Sequence, residues 1–323
     1  MRSYFLRRLI QFIPSLFIIS IIAFFVMRLA PGDPIAMYAN PEKRTLSVEE
    51  IQYIRHKIGL DQPIYVQYYK WLVNTLQGDW GYSLQSKAPV TKEILSRLPN
   101  TLLLAGCAFL VTIFVGIPIG VLSAIKRYTL FDYLSTIMAF IGISMPGFWL
   151  AMILIELLSN RLGLLPPVGM QTFGRDMTGF AKASDLLLHL IMPVLTLSFL
   201  EMAYWARYQR SSLLEVLGQD YIRTARAKGA NSRRLIWKHA MRNALISMVT
   251  IAGLTLPDLV NGSYIVETIF GWPGMGRLGV SAIIQRDYPI VMGVTMLSAL
   301  VVIIGNFLAD FLYVLIDPRI QQR

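Results

Sequence analysis

Six apolar stretches alternate with polar ones along the chain, at residues 9–30, 99–125, 131–158, 186–208, 244–266 and 289–316. A transmembrane helix needs about 20 predominantly apolar residues, so each stretch has the length of a span. The pattern predicts an all-α integral membrane protein with six transmembrane helices. Arg2, Arg7 and Arg8 precede the first stretch, which is too long for a cleavable signal segment and reads as an uncleaved span. Arg28 stands at its far end, where it can snorkel to the interface. Lys126 and Arg127 follow the second stretch, and Arg319 and Arg323 close the chain. Basic residues favour cytoplasmic loops, so both termini are expected in the cytoplasm and residues 31–98 outside.

The polar segments carry helix signals of their own. Ser47 and Glu50 form a capping box before an Ile51, Ile54 and Ile58 stripe that Gly59 ends. A second amphipathic helix follows Pro63, with Ile64, Tyr68, Trp71, Leu72 and Leu76 on one face and Gly78 as its stop. This external segment either serves as a lid or docking surface or packs over the spans. In the third stretch, Gly142, Met145, Pro146 and Gly147 predict close packing or a kink. Residues 160–185, rich in Gly and Pro, read as an external loop. Glu201 lies deep in the fourth stretch, where a carboxylate faces the bundle interior, either lining a solute path or bonded structurally. The fifth stretch contains Gly253, Pro257, Asp258, Asn261 and Gly262, which predict an interrupted helix beside a cavity. Three regions result: 1–30, a tail and first span; 31–98, the external segment; and 99–323, a five-helix core carrying a polar loop at 209–243.

Composition supports a membrane protein: of 323 residues, 55% are hydrophobic and 15% charged. The formal net charge of +11 is not a nucleic-acid footprint, because the basic residues sit between apolar segments rather than on a soluble face. Cys107 is the sole cysteine, so no intramolecular disulfide or cysteine metal cage can form. His56, His189 and His239 lie in different segments without ligand spacing.

Charge is densest between the fourth and fifth stretches, in DYIRTARAKGANSRRLIWKHAMRN, residues 220–243. Each Lys or Arg at a bilayer centre costs about 2.5–3.5 kcal/mol, so this segment lies in water beside the membrane. Tyr221, Ala225 and Lys228 share a helical face, Gly229 can supply a left-handed stop, and Ser232 can cap a second helix through Ile236 and Trp237. The segment therefore reads as helix, glycine turn, helix. The alternative reading is that its charges only fix orientation and bind headgroups of membrane lipid.

GMGRLG at residues 274–279 satisfies a dinucleotide-binding string after the strand-like YIVETIF. Without a βαβ unit or an acidic residue about 20 positions on, no cofactor site is expected there. No Walker A string occurs, so no intrinsic ATP hydrolysis is expected.

DYIRTARAKG followed by KHAMRN resembles the EAA loop of ABC importer membrane subunits of the dipeptide, oligopeptide and nickel family. RLAPGDP, IGLDQP, GDWGYSL, RLPNTLLLA and VETIFGWPGMGRL, in that order, extend the resemblance to that family's first permease over nearly the whole chain. The resemblance implies the type I ABC importer permease fold, in a bacterial or archaeal cytoplasmic membrane. It also implies a second, related permease, two ATPase subunits that bind ATP and Mg, and an external solute-binding protein. By carry-over, Tyr221, Arg223, Thr224, Ala225, Arg226, Ala227, Lys228 and Gly229 belong to the ATPase-coupling helix and its stop. Arg223 departs from the acidic first letter of the general motif, and Ser247 stands where many relatives have proline. Glu201, Asp258 and Asn261 are the candidates for the path lining. Solutes compatible with the resemblance are di- and oligopeptides, nickel chelates and glutathione. An intramembrane enzyme would need a catalytic cluster, and an ion-coupled carrier would need inverted repeats and paired intramembrane charges; neither pattern is found in the sequence.

Overall fold

A computed structural model describes residues 2–29, 49–50, 52–53, 56 and 61–316, with the side chains of 2–9, 247, 250, 254, 256–262 and 308–316 outside the description. Ser47, Ile51, Ile54, Ile58 and Gly59, which carry the first expected outer helix, lie outside the described residues. So do Arg319 and Arg323.

The described residues are helical in the order α1 (Arg2–Leu29), α2 (Ile64–Leu76), α3 (Val90–Ile125), α4 (Leu130–Ser144), α5 (Gly147–Arg161), α6 (Gly179–Leu217) and α7 (Asp220–Ala227). After them come α8 (Ser232–Arg234), α9 (Met241–Ile269), α10 (Met275–Ile284) and α11 (Tyr288–Ile316). Ile10–Leu29, Val90–Ile125, Gly179–Leu217 and Tyr288–Phe307 are long and apolar enough to cross a bilayer, and α4 with α5 adds a fifth span if that bent pair crosses once. The remaining expected span is α9, whose 29 residues suffice for a crossing at about 1.5 Å per residue.

Several boundaries differ from the sequence reading. The helices of the second and fourth apolar stretches, α3 and α6, begin at Val90 and Gly179, earlier than those stretches, because amphipathic turns extend them beyond the purely apolar run. Between α4 and α5 the chain bends by 105°. Met145 is extended (φ −84, ψ 124) immediately before Pro146, the conformation that a following proline imposes. Gly142 is buried against Ala203 and Phe199 of α6, in keeping with the expected close packing. The expected interruption of the fifth span is absent: α9 is continuously helical from Met241 to Ile269. All of YIVETIF but its last residue, the capping Phe270, belongs to that same helix rather than a strand, its β-branched residues overridden by the surrounding packing.

The chain divides into two compact units. One comprises Asn100–Gly276 with Val301–Arg323. Its core gathers Leu104, Ala108, Leu197, Phe270 and Trp272, and Trp205 packs with Met248 and Ile251. The Trp205 indole is almost fully buried and donates from Nε1 to Thr255 Oγ1 at 3.2 Å, which satisfies its polar edge.

The other unit comprises Arg2–Pro99 with Arg277–Leu300. Here α2 lies against α1: Tyr68 meets Phe24 edge to face and Trp71 meets it tilted, with ring centroids 5.4 and 5.7 Å apart, and the Tyr68 and Ser20 hydroxyls pair at 2.8 Å. Leu76, expected on the same face, is 78% exposed, because α2 ends one turn past its packed aromatics. Gly78 follows with φ +87, the expected left-handed stop. Buried Asp287 accepts from Ser83 Oγ and from Gln85 N, tying the loop before α3 to the start of α11.

Candidate functional site

The polar loop expected at 209–243 is mostly helical. α6 continues to Leu217, Gln219 turns the chain in an extended conformation (φ −73, ψ 150), and α7 begins at Asp220. An acidic residue in the first turn suits the positive end of the helix dipole. After Ala227 the chain closes a Schellman turn: Gly229 N donates to Arg226 O at 3.0 Å and Ala230 N to Ala225 O at 3.1 Å. Gly229 has φ +84, as its sequence position predicts. The second cap differs from expectation: Asn231 rather than Ser232 caps α8, its Oδ1 accepting from Arg234 N at 2.9 Å. Asn231 holds the extended conformation that a capping residue needs, while Ser232 is already helical.

The sequence reading named the exposed side of α7 and missed its anchor. Ile222 is 1% exposed and packs into a cluster with Val121 and Ala124 of α3, Leu213 of α6, and Leu235, Ala240 and Ala244. Its signal was available, since Ile222 is the one large aliphatic side chain in an otherwise small or polar helix. Ala225 is half-buried, whereas Tyr221, Arg223, Thr224, Arg226, Ala227, Lys228 and Gly229 are exposed. The hairpin is closed by Asn243 Nδ2 donating to Tyr221 Oη at 2.7 Å and by Ser212 Oγ donating to Ala244 O at 3.2 Å. α7 is thus a short basic helix held by one greasy peg between two long helices. A π-helical segment, Leu235–Ala240, leads from α8 into α9 beside it. α6 and α9 flank α7 and share its buried cluster.

A second linkage fastens the α3–α4 turn to α6. Asp132 is buried and accepts from Arg210 Nε at 2.6 Å and Nη2 at 2.8 Å, from Ser123 Oγ and from Tyr128 N at 3.0 Å. The bidentate fork fixes orientation as well as distance. Sequence separation concealed this pair, because nothing in the spacing of residues 132 and 210 marks them as partners.

Glu267, near the end of α9, is fully buried and was also missed. It accepts from Thr101 Oγ1 at 2.7 Å and Ser263 Oγ at 3.0 Å, and Thr101 Oγ1 accepts in turn from Met275 N. Trp272 Nε1 donates to Asn100 O at 3.0 Å, and Asn100 Nδ2 donates to Pro273 O at 2.8 Å. A Cβ at Gly274 would lie 2.3 Å from the Glu267 carboxyl carbon. Gly274, in the string that imitates a nucleotide motif, therefore serves close backbone approach to a buried carboxylate. Glu201 is half-buried on α6, and Asp258 and Asn261 fall on α9 with side chains outside the described residues. Among the described residues, no group of three or more His, Cys, Asp or Glu side chains is placed to hold a metal ion.

Comparisons with known proteins agree over the full chain. A family model described as binding-protein-dependent transport system inner membrane component matches residues 116–322, and its N-terminal counterpart matches residues 1–105. The chain is 45% identical over 322 residues to the oligopeptide transport system permease protein AppB of Bacillus subtilis (strain 168), covering 99% of this chain and 100% of that one. It is 39% identical over 340 residues to the dipeptide transport system permease protein DppB of Escherichia coli (strain K12), with both chains fully covered. The glutathione transport system permease protein GsiC of the same strain is also 39% identical over 323 residues, again with both chains fully covered. Among solved structures, an inward-facing MetNI methionine ABC transporter superposes with a TM-score of 0.57 at 20% identity, covering 70% of this chain and 97% of that one, a likeness of fold. The chain belongs to the binding-protein-dependent transport system inner membrane component family, the membrane-spanning permease subunits of ABC importers, which are not themselves enzymes.

Proposed function

We propose that this permease forms half of a translocation path for di- or oligopeptides and that α7 couples closure of two partner ATPases to alternating access. The observation that carries the coupling role is α7 itself: an exposed basic face on a helix whose opposite side is pegged by Ile222 between α6 and α9. The peptide assignment rests on relatives whose names specify oligopeptides, dipeptides and the tripeptide glutathione. On this reading the chain crosses the membrane six times with both termini cytoplasmic, the region 31–98 is external, and α7 with Gly229 faces the ATPase. ATP and Mg belong to the ATPases, a second permease supplies the other half of the path, and an external binding protein delivers the solute. Glu201, Asp258 and Asn261 line the path.

Reconstitution with these partners and a labelled dipeptide tests the proposal. ATP-dependent uptake is expected, together with loss of ATPase copurification in Arg223→Glu/Arg226→Glu while membrane insertion persists. Uptake by the permeases alone would overturn ATP coupling. Transport of a nickel chelate with no peptide uptake would overturn the solute class, and unchanged ATPase docking in the charge-reversed variant would overturn the role of α7.

A further inference from the structure

One compartment in the bundle has no part in the coupling hairpin or the proposed path lining. Between α3, α4 and α6 lies a cavity of about 120 Å³ whose polar wall includes Thr136, Arg207, Arg210 and Ser211. An apolar groove of about 350 Å³ shares Ile119, Ser135, Ala139 and Ala206 with it and continues along Val115, Leu134, Met138, Phe199 and Met202. The combined space is amphipathic, with cationic and hydroxyl groups at one end and hydrocarbon along the rest.

Charge decides what the polar end would accept. Arg210 is neutralised by Asp132 through two hydrogen bonds. Arg207 is exposed, and among the described residues its one cation–π contact is with the Phe140 ring, whose centroid lies 5.6 Å from Cζ. In the adjoining turn, Lys126 and Arg127 likewise lie over the rings of Phe131 and Tyr128 rather than beside a carboxylate. The Ser135 and Thr136 hydroxyls are already committed to Asp132 O, so among the described residues Arg207 and Ser211, with the N–H groups of Arg210 outside the fork, are the donors toward the cavity. A positive end with unspent donors calls for an anion. The attached groove, with Leu134 and Met138 each 50% exposed, calls for a flexible apolar chain.

We propose that this compartment holds one anionic membrane phospholipid, its phosphate on Arg207 and Ser211 and an acyl chain along the groove between α4 and α6. The guanidinium suits a phosphate through paired N–H donors, and burial of methylene groups in the groove adds affinity that a free anion lacks. A zwitterionic headgroup would bring its own cation toward Arg207, so phosphatidylglycerol is favoured over phosphatidylcholine.

The intact transporter, stripped of lipid in detergent, is titrated with phosphatidylglycerol, phosphatidylcholine or inorganic phosphate, and tightly bound molecules are counted by native mass spectrometry. Wild type is expected to hold one phosphatidylglycerol that Arg207→Gln weakens roughly tenfold, the scale of one charge-assisted hydrogen bond, while Arg207→Lys retains most of the affinity. Met138→Trp, at a half-exposed position in the groove wall, is expected to lower occupancy by both lipids without touching the cation. Unchanged lipid retention in both Arg207→Gln and Met138→Trp overturns the proposal. Inorganic phosphate binding as tightly as lipid and indifferent to Met138→Trp overturns it in favour of a plain anion site. Crosslinking of a Met138→Cys variant across the groove to another subunit overturns it in favour of a protein contact.

Discussion

Substituting Gly229 isolates a backbone effect on the proposed coupling. The residue sits at φ +84, and a Cβ built there would meet nothing within 4 Å. Steric collision at the Cβ therefore contributes nothing, and the cost of an Ala there is conformational. For an L-residue the left-handed region costs about 1–2 kcal/mol, a factor of roughly 5–30 in the population of the native turn. The cost is smaller for Asn, which visits that region, and larger for a β-branched residue. Loss of the turn releases the two bonds that end α7, from Gly229 N and Ala230 N, and rotates its basic face while Ile222 remains pegged. The expected order of impairment is Asn, then Ala, then Val. ATPase copurification, ATP hydrolysis and peptide uptake are measured on the same reconstituted variants, with pairing to the second permease as the control for assembly. Wild-type values for Gly229→Val in all three assays would refute the coupling account. Equal damage from Asn and Val would refute its backbone origin, since the left-handed region costs Asn less than a β-branched residue.

Three further outcomes follow from named contacts. Asp132→Asn removes the charge facing Arg210 and should lower thermal stability by about 2 kcal/mol or more, reduced from the fully buried case by the partial exposure of Arg210; an Arg210→Gln partner substitution should recover part of that loss in a double-mutant cycle, and strict additivity would contradict the pairing. Gly274→Ala drives a Cβ into the Glu267 carboxyl and should cost about 1–3 kcal/mol, with Glu267→Ala relieving the clash in the double variant; a wild-type melting temperature for Gly274→Ala contradicts the packing. In a Cys107→Ala background, a cysteine at Phe173, 98% exposed, should react with an impermeant reagent from outside, and one at Arg233 only after permeabilisation; the reverse pattern inverts the topology.

The apolar runs by themselves determined that this is an all-helical membrane protein, because a bilayer demands about 20 apolar residues per crossing and internal satisfaction of every backbone group. Local chemistry likewise marked the bend at Pro146 and the left-handed turn at Gly229, since proline and a positive φ act on one or two residues at a time. Hairpin contacts were only half legible. The basic face of α7 stood out in sequence, but Ile222 became an anchor only when α3, α6 and α9 converged on it. Ser232 lost the cap to Asn231 because capping depends on the backbone conformation at one residue, which composition constrains only to within a position. Pro257 and the neighbouring small and polar residues suggested a break, yet α9 runs through them: in a bundle, neighbouring groups can satisfy the bonds a proline frees. The Asp132–Arg210 pair joins residues 78 positions apart, and the Glu267–Thr101 bond joins residues 166 apart. Such partners are chosen by which helix faces meet, so only the tertiary structure could decide them.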